Sequence, residues 1–297
     1  MTTFFSQLIT GISIGSLLLL IALGLTFTFG QMNVINMAHG EFIAAGAYTV
    51  YFLQTSVFAA SAASFAFVVS LPVAFLIAGT MGLILEMTLI KRLYGRSLDT
   101  LLVTWGVALV LQQLYRDLFG APNVQVVPPD WLKGAIEIGE VTIAYSRIFT
   151  VVLVVLALIA IWIFSEKTVH GTRMRAVVQN RGLAEASGIA SKPVDRTTFF
   201  IGSGLAGIAG VAITLLGSIG PTLGTAYIID AFLVVVVGGL GQLRGAVIAA
   251  FALGIINSFL ELWTDASLAK VILFALIIAF LQFRPQGLAV QKTRALA

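Results

Sequence analysis

Two stretches interrupt an otherwise apolar chain with side chains that can hydrogen-bond or ionise. The first, Phe29-Gly30-Gln31-Met32-Asn33-Val34-Ile35-Asn36-Met37-Ala38-His39-Gly40-Glu41-Phe42, sets five such groups among hydrophobic residues. An ionisable side chain in hydrocarbon costs a few kcal/mol or more, so such residues usually face a bundle interior or a wet path. Two readings are open: a polar lining for a solute that crosses the membrane, or a surface loop between helices with His39 and Glu41 as caps or as a local pair. Gly30 and Gly40 would allow helix breaks. The second stretch runs from Gly217-Ser218-Ile219-Gly220-Pro221-Thr222-Leu223-Gly224 through Asp230 to Val237-Gly238-Gly239-Leu240-Gly241-Gln242-Leu243-Arg244-Gly245. Its first part reads as a break between helices, and its later glycines permit close backbone approach or a half-helix end beside a cavity.

Neither stretch is a nucleotide site. Gly239-x-Gly241 lacks a preceding strand and the later glycine spacing, and the chain contains no Gly-x4-Gly-Lys-[Ser/Thr] phosphate loop. Whatever energy this protein uses must then come from ATP hydrolysed elsewhere or from an ion gradient. With no cysteine, and with His39 and His170 far apart, no metal site is expected.

The elements that must position these groups are membrane helices. Of 297 residues 59% are apolar and only 30 are charged, 17 basic and 13 acidic, too few to cover a water-facing surface. Apolar stretches at about 6–30, 33–54, 57–90, 100–119, 147–165, 197–219, 227–241, 245–262 and 267–283 predict an all-α, polytopic membrane bundle of about eight to ten spans, some broken or half-helical. There is no room for a folded soluble domain, so the chain reads as one transmembrane unit over 1–297. Met1 to Phe5 has no basic region and no cleavage site follows Leu17 to Leu20, so the first stretch reads as a retained helix.

Basic residues set the orientation. Lys91, Arg92 and Arg96 share one loop, Lys167, Arg173, Arg175, Arg181, Lys192 and Arg196 another, and Arg284, Lys292 and Arg294 the tail. With even numbers of spans between them, all three face the cytoplasm, as does Arg244. These charges follow the positive-inside rule, and nucleic acid is not an expected partner. Nine spans place the N-terminus outside; a re-entrant 33–54 changes the count to eight or ten and moves it inside. Residues 120–146, rich in turn formers with alternating valines, predict an external loop with a short hairpin, able to meet an extracytoplasmic partner. Residues 166–196 predict a cytoplasmic pair of amphipathic helices ending at Pro193, and 284–297 a cytoplasmic tail. The small residues of Gly202-Ser203-Gly204-Leu205-Ala206-Gly207-Ile208-Ala209-Gly210 and of Gly11-x3-Gly15 read as helix packing. Glu86, Gln112, Gln113, Asn257 and Glu261 read as interhelical hydrogen bonds or interface residues.

Arg175-Ala176-Val177-Val178-Gln179-Asn180-Arg181-Gly182-Leu183-Ala184-Glu185-Ala186-Ser187-Gly188-Ile189 resembles the coupling loop of permease subunits of branched-chain-amino-acid-type ABC importers. Asn36-Met37-Ala38-His39-Gly40-Glu41-Phe42 and Gly238-Gly239-Leu240-Gly241-Gln242-Leu243-x-Gly245 resemble the same family. Leu25-Thr26-Phe27-Thr28-Phe29-Gly30, Val178-Gln179-Asn180-Arg181 and Phe280-Leu281-Gln282-x-Arg284-Pro285-Gln286-Gly287-Leu288 are most similar to the urea-importing branch, in particular its first permease subunit. Arg244 stands where that branch tends to have a small residue.

The resemblance implies a pore formed with a second homologous permease, two cytoplasmic ATPase subunits that use ATP and Mg, an extracytoplasmic binding protein, and a place in the bacterial cytoplasmic (inner) membrane. No cofactor is expected on this chain, which is no enzyme by itself. Residues about 179–192 become the ATPase-coupling element, with Asn180, Arg181, Leu183, Ala184, Glu185 and Gly188 as its residues. Arg181 and Glu185 stand at i,i+4, and Leu183 and Ala184 are taken as free to insert.

Urea, with four N–H donors and one acceptor, needs a narrow slot of acceptors rather than a counter-charge. The expected path residues are Asn33, Asn36, His39 and Glu41, with Asp230 and the backbone of Gly238, Gly239 and Gly241. A branched-chain amino acid is the alternative; its carboxylate would need a helix N-terminus or a fixed cation at depth, and no mid-span Arg or Lys is evident. An ion-coupled transporter using Glu41, Glu86 and Asp230 is the remaining rival, against which the basic coupling loop speaks.

Overall fold

The computed structural model describes residues 2–139 and 141–289; Glu140 and the end of the tail, with Lys292 and Arg294, lie outside the described residues. It is all-α: α1 Thr2–Met32, α2 His39–Phe52, α3 Ala63–Thr88, α4 Ser97–Phe119, α5 Tyr145–Lys167, α6 Val169–Gln179, α7 Arg181–Ala186, α8 Ser191–Ile213, α9 Leu223–Gly238, α10 Leu243–Leu260 and α11 Ala266–Phe283. Seven of these are long and apolar enough to cross a membrane, and α9 is a shorter apolar helix. α2, at 14 residues, reaches about 21 Å and falls short of a ~30 Å hydrocarbon core. Its lead-in, residues 33–38, is non-helical. Among the described residues, α9 and the segment of α2 with its lead-in stand beside the seven long helices as candidate crossings.

Contacts sort the connections into two ends. At the basic end, Tyr94, Val178, Arg181, Leu240 and the end of α1 line one cavity. At the other end Val124 pairs with Ile219, Gln54 Nε2 donates to Val127 O at 2.9 Å, and Asp130 N donates to Ser64 Oγ at 3.1 Å. The N-terminal part of α1 belongs to this second end, where Ser258 Oγ donates to Gln7 O at 2.9 Å. Residues 120–146 carry two short strands, β1 Ala135–Ile138 and β2 Val141–Ala144, paired antiparallel.

α1, α2 and α8 form the centre. In lipid, helices associate through close packing of small residues rather than through hydrophobic exclusion. Gly46 lies against the backbone of Gly207 and Gly24 against that of Gly202, so the glycines of α8 are used for packing, as their spacing predicts. A Cβ at Gly24 would also stand 2.8 Å from His39 Cε1, so this glycine makes the room that the imidazole occupies.

The break in the first polar stretch is not at a glycine. Gly30 lies inside α1 and Gly40 inside α2. α1 instead ends at Asn33, which takes φ 53° while its N–H bonds to Phe29 O at 2.8 Å, a left-handed helix stop that asparagine tolerates. Asn36 turns the chain just before α2, its Oδ1 accepting from Ala38 N at 3.1 Å, while Ala38 takes the N-cap position without a side-chain bond. The glycines serve approach instead, Gly30 against Gly241 and Gly40 against Gly224. Pro193 likewise does not end the basic segment. It falls in the first turn of α8, where its missing N–H has no helical partner to lose.

Candidate functional site

The residues of the first polar stretch separate into two places. Asn36, His39 and Glu41 are buried at about half depth, each at most 1% exposed. His39 Nε2 meets Ile21 O at 3.2 Å in the middle of α1. Glu41 Oε1 accepts from Gln112 Nε2 of α4 at 3.1 Å, and that carboxamide also bonds Thr225 Oγ1 at the start of α9. Tyr115 OH donates to Glu41 O at 2.8 Å, and Met37 N donates to Thr104 Oγ1 at 3.0 Å. The broken helix is thereby tied to α4 through neutral groups around one carboxylate. Asn36 Nδ2, His39 Nδ1 and Glu41 Oε2 remain buried without a hydrogen-bond partner. A buried polar atom left unpaired costs about 1–3 kcal/mol, so any donor or acceptor that reached these atoms would bind favourably.

Asn33 lies lower, in the wall of a cavity of about 570 Å³ at the basic end, together with Gln31, Tyr94, Arg181 and Leu240. Gly238, Gly239 and Gly241 belong to this end and not to the half-depth cluster. They form the α9–α10 turn, with φ 98° at Gly239 and 75° at Gly241. The last described residues fold back on it: Leu288 N donates to Val237 O at 2.8 Å and Ala289 N to Gly238 O at 3.1 Å.

Asp230 stands apart from both groups. Lys270 of α11 approaches its Oδ2 at 3.3 Å, in a small pocket with Ile14, Leu253 and Asn257. The structure does not bring it to His39 or Glu41. Lys270, the carboxylate's partner, sits 40 positions further along the chain, inside α11.

The coupling loop is built from caps. Thr168 Oγ1 accepts from Gly171 N at 3.0 Å to start α6, and Asn180 Oδ1 accepts from Leu183 N at 2.9 Å to start α7. Gly188, φ 85°, ends α7 with paired bonds from Gly188 N to Glu185 O and from Ile189 N to Ala184 O, both 3.0 Å. Leu183 is 66% exposed, whereas Ala184 is buried against its own chain. Adjacent helical positions point about 100° apart, so the two cannot both face outward, and Leu183 alone is free to insert.

Arg181 turns inward. It bonds Asp195 Oδ2 at 2.6 Å and Ser191 Oγ at 3.0 Å on α8, lies 3.5 Å from Glu185, and its guanidinium sits 5.2 Å from the centre of the Tyr94 ring. Tyr94 OH donates to Glu86 Oε1 of α3 at 2.8 Å, and Arg196 approaches the other Glu86 oxygen at 3.7 Å. Burial opposes the Arg181 charge, but the bond to Asp195 and the charges of Asp195, Tyr94 and Glu185 together outweigh it and hold the guanidinium above its ordinary range. Burial, with Asp195 and Glu86 beside it, pushes the Tyr94 phenol up, so its O–H stays available as a donor. One cluster thus joins α7, α8, α3 and the loop before α4.

The family described as Branched-chain amino acid transport system / permease component matches residues 7–281. The chain belongs to this family of ABC permease subunits. It is 27% identical to the high-affinity branched-chain amino acid transport system permease protein BraD of Pseudomonas aeruginosa over 293 residues, 96% of this chain and 95% of that one. Against the permease protein LivH of Escherichia coli K12 the identity is 27%, over 96% of this chain and 95% of the other. The probable branched-chain amino acid transport permease protein LivH of Methanocaldococcus jannaschii is 29% identical over 92% and 88%. No solved structure matches the chain. Family and spans together make it a multi-pass inner-membrane protein and a permease component rather than an enzyme.

Proposed function

We propose that this chain forms half of the path of an ATP-driven importer and that the solute is a branched-chain amino acid. The relatives' named substrate supports this, and the observation that carries it is the half-helix α2, whose N-terminus and unpartnered Glu41 Oε2 lie together at depth. A helix N-terminus favours a carboxylate and Glu41 an ammonium, so the pair meets the two needs of an amino acid without a mid-span cation. A second homologous permease completes the pore, two ATPase subunits supply ATP hydrolysis, and an extracytoplasmic binding protein delivers the solute. The exposed Leu183 and Glu185 meet one ATPase, while Arg181 passes the motion of α7 into the bundle.

Urea is the second reading. It is favoured by the neutral donors and acceptors around Glu41, none of them a Lys or Arg, which suit a planar amide that needs no counter-charge. The test is radiolabelled uptake of leucine and urea into cells lacking their own importers, with this chain supplied with and without its candidate ATPase, permease and binding-protein partners. ATPase-dependent leucine uptake is expected. The same dependence with urea alone overturns the amino acid reading and keeps the importer, and uptake that needs no ATPase overturns the importer.

A further inference from the structure

The side of α4 that turns away from the rest of the chain carries groups that lipid does not solvate. Leu102, Gly106, Leu109, Gln113 and Arg116 follow one another at spacings of four and three, so they share one helix face. The two leucines, Gln113 and Arg116 are exposed. α4 has 23 residues, about 34 Å of helix, and Gln113 lies about 9 Å in from its outer end. Gln113 Nε2 donates to Asp117 Oδ1 at 2.9 Å, and Asp117 is itself exposed. Polar and charged groups on a spanning helix almost always face protein or water rather than hydrocarbon. α5 is the contrast, for between Ile148 and Ile163 each of its exposed side chains is apolar. Gly106 is an independent observation. Among the described residues, the other glycines within the spanning helices and the half-helices α2 and α9 lie against a neighbour, whereas nothing stands within 4 Å of the place a Cβ of Gly106 would take. Span glycines elsewhere in this chain let two backbones approach, and Gly106 offers the same approach outward.

We propose that this stripe of α4 is the seat of the second homologous permease, one spanning helix of which packs over Gly106 and brings acidic or amide side chains to Gln113 and Arg116. The proposal rests on the transport reading above, which calls for that partner, and adds where it sits. Alternating spacings of four and three suit a helix that crosses at about 20°. The face is also continuous with the buried site. Gln112 stands one position before Gln113, and its bonds to Glu41 Oε1 and to the exposed Thr225 carry the Glu41 cluster to the edge of the stripe. A path shared by two permeases opens where they meet, and this is a side on which the cluster reaches the surface. A second copy of this chain, related by a two-fold axis along the membrane normal, would set Arg116 against Arg116. A different chain with a carboxylate or carboxamide at that depth fits better.

The test uses the full complex in membranes, this chain being produced with its candidate permease, ATPase and binding-protein partners. Gly106→Leu replaces glycine by a residue that suits lipid and forms helix more readily, so a face that meets only lipid tolerates it. Recovery of the second permease with this chain is expected to fall at least fivefold, with the amount of inserted chain unchanged. Ile159→Trp, on the apolar face of α5, is the control and is expected to leave recovery unchanged. Undiminished recovery with Gly106→Leu, or an equal loss with Ile159→Trp, overturns the proposal. Because a substitution can act through folding, contact is also read directly, with a photoreactive benzophenone amino acid in place of Leu109. A covalent adduct with the second permease supports the seat; an adduct with lipid alone, or with a second copy of this chain, overturns it. Uptake of leucine and urea is measured in the same membranes. The adduct without uptake of either solute keeps the seat and fails the transport reading, and uptake without the adduct overturns the seat and keeps that reading.

Discussion

The two polar clusters of this protein do opposite things with the same kind of residues. At the basic end Arg181, Glu185, Asp195, Arg196 and Glu86 are joined in ion pairs that span three helices. At half depth one carboxylate, Glu41, is met by an amide and by hydroxyl and backbone groups, with several atoms left unpaired. The first arrangement is rigid, because an ion pair whose carboxylate is 3% exposed cannot lose one partner cheaply. The second is exchangeable, because each neutral hydrogen bond contributes only about 0.5–1.5 kcal/mol net and another donor can take its place. On the proposed function, force is carried where charge is fixed, and a solute is received where bonds can be swapped.

Breaking that contrast begins with its strongest bond. Arg181→Asp leaves Asp195 buried beside a second carboxylate, and ATPase-dependent uptake is expected to fall more than tenfold, measured per amount of inserted protein. Adding Asp195→Arg restores at least a third of it if the pair acts within the permease; no recovery would instead make Arg181 a direct ATPase contact. Glu41→Gln keeps the shape and removes the charge. It is expected to raise KM about tenfold for an amino acid and less than threefold for urea in the uptake assay, so the ratio sharpens the choice of solute. Leu183→Asp alters only the exposed tip of α7, and recovery of the ATPase with the purified permease is expected to drop severalfold while insertion is unchanged. Tyr94→Phe keeps the ring on Arg181 but loses the bond to Glu86, an effect of about 1 kcal/mol that should lower uptake two- to fivefold. The smallest effect belongs to Asp230→Asn, less than twofold on uptake, because Asp230 bonds Lys270 away from both clusters. A large loss there would move the path to α9 and α11.

The fold was legible because hydrocarbon imposes it: the apolar stretches, their lengths and the placement of Lys and Arg define the passes and their direction with little help from side-chain detail. The coupling helices were legible for a local reason, since Thr168, Asn180 and Gly188 are caps whose chemistry acts within a few residues. The helix stop was misplaced because glycine both breaks helices and lets them approach, and only the packed structure tells the two uses apart. Asp230 attracted attention as an acid within a span, but its neutralising lysine is 40 residues distant and pattern cannot join them. α4 did carry a signal. Thr104, Gln112 and Tyr115 recur at helical spacing, yet their partners on the broken helix are about 70 residues away, and one by one they resemble ordinary interhelical bonds.

The backbone bonds from Leu288 and Ala289 to Val237 and Gly238 have a consequence for synthesis. A ribosome releases α9, the glycine turn and α10 well before it reaches residue 288. During that interval the last carbonyls of α9 rest on water, and the inner end of the bundle stays open. The final described stretch of chain closes it, so a stop codon or a fused sequence placed just before Leu288 removes the clasp while leaving every membrane pass intact.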